Sequence, residues 1–181
     1  QEAFKAGVQA RTKESMAWFK NRVGGVNVSR QGLIRQGPQR SRRIMGAMMM
    51  FTYDPKLKKT LPFYDRFPLC IPVQKAKGGF HGLNLHYLHP NIRAQFLDSL
   101  YDLRTNDKWD TTTKMQMTYS LLKGSSQLRY FKPCFKHYLT QHIQGTFLLV
   151  EPADWEIAIF LPTESFKKSS KETVWSTVQV A

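Results

Sequence analysis

Three histidines, His81, His86 and His89, fall within the stretch GGFHGLNLHYLHP (78–90). Imidazoles at close spacing raise the question of a metal centre, and with it hydrolytic chemistry. Ligands of one ion must converge, and an extended chain prevents that here. Side chains alternate faces along a strand, so His81 and His86, five apart, and His86 and His89, three apart, point to opposite sides. His81 and His89 share a side but lie about 27 Å apart at about 3.3 Å per residue. No cysteine or acid lies close in sequence to complete a site. The three are expected to be polar strand and cap histidines, with no metal bound.

The other chemical signals are weaker. KAKGGFHG (75–82) lacks the Gly-Lys-Ser/Thr ending of a phosphate-cradling loop. A nuclease needs acids gathered on a metal, and the candidates beside lysines are Asp54 with Lys56, and Asp65 near Lys58 and Lys59. Both acids stand in proline-rich turns, where aspartate is expected for conformational reasons. No Gly-x-Ser-x-Gly elbow is present, although a Ser or Cys nucleophile with a distant His base stays open. Cys70 and Cys134 match no metal or redox spacing and read as buried reduced thiols of a protein made in a cytoplasm, with a single disulfide as the alternative. No cofactor is implied, and the chain is not expected to be an enzyme.

Charge is the outlying property. The 181 residues carry 27 Lys and Arg against 13 Asp and Glu, a formal charge of +14, with 41% hydrophobic residues to build a core. Such a balance fits a polyanionic partner, usually nucleic acid, or acidic neighbours in a large assembly. No apolar run approaches the roughly 18 residues of a membrane span, so a soluble protein without a membrane partner is expected. Position 1 is Gln rather than Met, as in a trimmed, processed or partial chain.

The charge is concentrated at the front. Residues 1–50 hold ten basic residues and two acids, a balance of +8, leaving +6 for the rest. Within this arm, 2–23 read as a helix stopped by Gly24 and Gly25. The following stretch to residue 47, with five arginines, is too poor in apolar residues to fold alone. Arg30, Arg35, Arg40, Arg42 and Arg43 could fork onto phosphates, lie across a neighbouring subunit, or face solvent.

From Met48 a compact domain is expected. Strands are read near 49–53, 69–73, 80–88 and 145–150, the second an edge strand or irregular because Pro72 cannot donate to a ladder. Helices are read at 90–103, opened by Pro90, at 111–123, and at 126–142 with a break near Pro133. Residues 152–161 fit strand or helix. The final stretch, TESFKKSSKETVWSTVQV and onward, reads as a solvated tail docked by Trp175. The aromatics Phe51, Tyr53, Phe63, Tyr64 and Phe67 could stack on bases but suit a small core better. The class is α+β: a small bent antiparallel sheet or Src-homology-like barrel with packed helices and an extended basic N-terminal arm. Its divisions are 1–47 for the N-terminal helix and arm, 48–163 for the domain, and 164–181 for the tail.

Four separated motifs in order, YDPKLKKTLPFYDRFPL, GGFHGLNLHYLHPNIRAQFLDSLYDL, RYFKPCFKHYL and DWEIAIFLPTESFKK, resemble the DNA end protector family of virion proteins from T-even-type contractile-tailed phages and their marine relatives. The resemblance covers most of the chain after about residue 10, including ESMAWFKNRV in the arm. It implies a low-copy, non-enzymatic protein added late in head completion that binds double-stranded DNA ends and shields them from exonuclease. It carries over no catalytic residues. Relatives often have proline at the position of His89, which further weakens a histidine metal site.

Two functions follow. In one, the protein binds packaged genome ends, with Arg30, Arg35, Arg40, Arg42 and Arg43, joined by Lys56, Lys58 and Lys59, on the phosphate backbone. In the other, it is a structural component of the phage neck or baseplate, and the same arm packs between subunits as it orders on assembly. Both place it in the virion among other virion proteins.

Overall fold

The computed structural model describes residues 38–105, 107–125, 128–151, 155 and 163–180. The expected helix at 2–23, Arg30, Arg35 and nearly all of 152–161 lie outside these residues. In chain order the strands are β1 (Gln39–Arg40), β2 (Met49–Tyr53), β3 (Tyr64–Asp65), β4 (Leu69–Ala76), β5 (Gly79–Asn84), β6 (Phe135–Leu139), β7 (Ile143–Leu149) and β8 (Phe166–Lys167). The helices are α1 (Pro90–Thr105), α2 (Thr111–Ser125) and α3 (Lys171–Val180), with 3-10 turns at Leu85–Tyr87, Lys132–Cys134 and Thr140–His142. Among the described residues, six strands form one antiparallel sheet in the order β1-β7-β2-β4-β5-β6, and β3 pairs with β8 in a second. The architecture is the expected α+β.

Alternation along the strands sorts side chains onto two faces. Met48, Met50, Leu69, Ile71, Leu83 and Leu148 join Leu97 and Leu100 of α1 and Val174 and Val178 of α3 in the main core. The opposite face carries Met49, Phe51, Tyr53, Cys70, Phe80, Tyr138 and Phe147. These rings show how sharply the sheet bends. Tyr53 on β2 and Tyr138 on β6 are three strand steps apart, about 14 Å across a flat sheet. Their ring centroids nevertheless lie 4.9 Å apart, and the Leu139 amide on β6 donates to the Tyr53 hydroxyl at 3.2 Å. Phe80 on β5 and Phe147 on β7, also three steps apart, approach to 6.5 Å. Among the described residues β1 and β6 end the order unpaired with each other, so what is described is a strongly curved open sheet.

Two glycines make this curvature possible. A β-carbon at Gly79 would overlap the Tyr138 carbonyl, and one at Gly82 would overlap the Cys70 sulfur. Gly78, at φ 73°, supplies the left-handed residue of the β4–β5 hairpin.

Several expectations need correction. Leu69–Ala76 is longer than read and is interior at Leu69 and Cys70, which pair with Met50 and Met49. Pro72 lies beyond that pairing and next to a register shift, so the edge character read from it holds locally. The strand expected through residue 88 stops at Asn84, because the Asn84 side chain accepts from the His86 amide and turns the chain into a 3-10 turn. The helix expected over 126–142 is absent from its described part. Pro133 sits in the short turn at Lys132–Cys134, and FKHYL then runs as β6. The C-terminal stretch forms α3, capped by the Ser170 hydroxyl accepting from the Thr173 amide, and buries Val174, Trp175 and Val178. Cys70 and Cys134 are free and buried, as read.

Candidate nucleic-acid interface

The sequence directs attention first to the histidines. His81 is exposed and stacks on His137 of the paired strand, with centroids 5.0 Å apart. His89 lies edge-on to Trp175. His86 is fully buried and lies in the 3-10 turn after β5, not in the strand where it was expected. Among the described residues, no group of three His, Cys, Asp or Glu could hold a metal ion.

His86 instead centres a buried polar network. Its Nδ1 lies 2.6 Å from Asp65 Oδ2 and its Nε2 lies 2.8 Å from the Thr163 hydroxyl. The Asn84 side-chain amide donates to Asp65 Oδ2 and to the Tyr138 hydroxyl, and the Phe67 and Ser165 amides donate to Asp65 Oδ1. Burial alone would raise the Asp65 pKa, but the charge and hydrogen bond of His86, with the bonds from Asn84 and Phe67, hold it below its ordinary value. Acid, imidazole and hydroxyl in a row have the order of a nucleophilic triad. A nucleophile must meet its substrate, however, and Thr163 is only 1% exposed beside a His86 at 0%. In this arrangement the network ties β3, β5 and the segment after residue 163 together. Arg93 of α1 reinforces it, donating to Glu164 at 2.9 Å and to the His86 and Leu88 carbonyls. Of the two aspartates weighed as nuclease acids, Asp65 is thus a structural residue, and Asp54 is ion-paired with Lys58.

Beside this network lies a cavity of about 310 Å³, bounded by β2, the loop after it, β3, Tyr87 and β6. Tyr53, Tyr87 and Tyr138 are buried in its wall, and Lys56 and Leu57 are exposed at its rim. Lys136 is partly buried there, its ammonium 4.1 Å from the Tyr87 ring centroid. Burial holds its pKa below the ordinary 10.5. Of the aromatics weighed for stacking, Tyr53, Phe63 and Tyr64 line the cavity, whereas Phe51 and Phe67 belong to the cores.

The basic residues singled out in sequence take different positions. Arg40 and Arg42 are exposed, Arg40 on β1 beside Phe147 of β7. Arg43 donates to the Gly79 carbonyl at 3.4 Å and lies 5.1 Å from the Phe80 centroid. Gly79 pairs with Leu139 of β6, and Arg43 itself is not among the residues lining the cavity. Lys58 forms an exposed ion pair with Asp54 at 2.8 Å. The carbonyl of Lys59 accepts from Lys168, which also bridges to Leu61 and pins the lysine-bearing loop. Lys136, Tyr87 and Tyr138 were not singled out from the sequence. The only local trace was the positive residue between aromatics in FKHYL.

A family model described as phage T4 terminal DNA protecting protein matches residues 1–181. The chain belongs to that family. Its members are bacteriophage proteins of DNA termini, and a phage terminal DNA protecting protein is a component of the virion. The family match spans the arm as well as the curved sheet. No curated protein and no solved structure matches the chain. Among the described residues no helix is long and apolar enough to cross a membrane.

Proposed function

We propose that this protein binds the ends of double-stranded DNA in the virion without catalysing a reaction on them. The family match over the full length carries the reading, and the excess of positive charge supports it. Arg40, Arg42 and Arg43, together with Arg30 and Arg35 outside the described residues, serve as phosphate contacts. Lys56, Lys58 and Lys59 extend that positive surface along the cavity rim, with Lys58 partly neutralised by Asp54. Residues 1–47 act as the DNA-tracking arm, the curved domain reads the end, and α3 closes the domain from its C-terminal side.

The test is equilibrium binding of the full chain to blunt linear duplex and to closed circular duplex across a salt series. End binding requires tighter association with the linear form. Replacing Arg40, Arg42 and Arg43 with Ala is expected to flatten the dependence of log K on log salt by about 0.9 for each phosphate no longer neutralised. Equal, weak binding to both forms that vanishes at physiological salt would instead assign the charge to protein neighbours. The protein would then be a structural piece of the neck or baseplate whose arm packs between subunits.

A further inference from the structure

The cavity between β2, β3 and β6 holds a charge that its own walls leave uncompensated. Lys136 forms no ion pair with a described residue, and its contact is the face of Tyr87. An aromatic face only partly offsets removal of an ammonium from water. Of the other charged residues lining the cavity, Lys56 is a second cation, exposed at the rim, and the carboxylate of Asp65 is already met by His86, Asn84 and two backbone amides. The Tyr53 and Tyr138 hydroxyls each accept one hydrogen bond, from Leu139 and Asn84, and donate none among the described residues. The cavity therefore offers a partly desolvated cation, two hydroxyl donors and aromatic rings. At about 310 Å³ it is at the small end of ligand sites, roughly 300 Å³ and upward.

We infer that this cavity takes the terminal nucleotide of a DNA strand bearing a 5′-phosphate, the base against the tyrosine rings and the phosphate on Lys136 and Lys56. The inference rests on the end-binding reading above. Aromatic walls accept any base face, which suits a protein that meets ends of differing sequence. A terminal phosphate monoester carries about 1.5 to 2 negative charges, against one for each internal diester. A partly buried ammonium therefore discriminates an end from the interior of the strand. A chain end also has to enter the half-open cavity from one side only, whereas an internal nucleotide would have to bring the strand in and out again.

The experiment is competition binding of the full chain at fixed salt, using a short blunt duplex with 5′-phosphates, the same duplex with 5′-hydroxyls, and closed circular duplex. The native protein is expected to prefer the phosphorylated ends roughly tenfold over the hydroxyl ends, as befits one charge-assisted contact. Lys136→Met and Lys56→Ala are each expected to reduce that preference, and to do so by a larger factor than they weaken binding to the circle, where Lys56 contributes only one contact of a wider positive surface. Lys56 is exposed, so Lys56→Ala carries the test even if Lys136→Met disturbs folding. Preference for ends regardless of their phosphate, or an undiminished phosphate preference in Lys56→Ala, overturns the cavity assignment and leaves end binding standing. Equal affinity for all three DNAs overturns both.

Discussion

Asp65 Oδ2 stands 2.6 Å from His86 Nδ1, both side chains enclosed, with Thr163 on the far ring nitrogen. Breaking such a pair leaves one polar group buried without its partner. Asp65→Asn is expected to destabilise the protein by about 3–5 kcal/mol. The pH dependence has a defined sign. The folded-state pKa of Asp65 is held below its ordinary 3.8, so its stabilisation is present above that value and is lost as pH falls through the folded-state value. Thermal melts between pH 6 and about 3 should show a steeper acid loss for the native chain than for Asp65→Asn. Parallel curves would show that the pair contributes nothing.

The curvature of the sheet predicts intolerance at its closest backbone approach. Gly79→Ala must separate β5 from β6, because the added carbon overlaps the Tyr138 carbonyl. A loss of about 3 kcal/mol or more is expected, seen as a fall in Tm of roughly 6–12 °C for a chain of this length. The control is Gly124→Ala on α2, where a β-carbon meets nothing within 4 Å. It should be neutral or slightly stabilising.

Trp175 joins the C-terminal helix to the network, its indole N–H donating to the His86 carbonyl at 2.8 Å. Trp175→Ala is expected to cost about 3–5 kcal/mol, measurable by chemical denaturation. A loss under about 1 kcal/mol would mark α3 as an appendage rather than part of the core.

The two cysteines give a simple reporter of global opening. Burial pushes the Cys134 thiol up to about 12 and the Cys70 thiol well above its ordinary value. Neither should react with a thiol reagent at neutral pH until the protein unfolds. Immediate reaction of one thiol in the native protein would contradict the packing of Cys70 under Gly82 or of Cys134 in the main core.

Local signals in the sequence identified the elements that obey one rule throughout. Pro90, with Leu97 and Leu100 at helical spacing, marks α1, and Asp110 capping the Thr113 amide opens α2 at the expected position. Sequence patterns mislead where two local rules compete. Asn84 satisfies a backbone amide and ends a strand whose apolar alternation continues to Tyr87. After Pro133 the short FKHYL segment carries both helix and strand patterns, and pairing with β5 decides it. The stretch that forms α3 reads as a solvated tail in sequence, because polar residues surround Val174 and Val178 and obscure the Ser170 cap on Thr173. The cavity could not be read, because its walls come from residues 53–65, Tyr87 and 136–139. Only the curvature of the sheet brings these together. His86 was misplaced for the same reason, since its partners are 21 and 77 residues away.

Digestion of linear duplex in the presence of the full chain tests end protection most directly, with an exonuclease in one arm and an endonuclease in the other. Binding at ends should preserve the linear DNA against the exonuclease while leaving its interior open to the endonuclease, and the effect should weaken when Arg40, Arg42 and Arg43 are replaced with Ala. Equal protection against both enzymes, or protection against neither, would contradict a protein that recognises DNA termini.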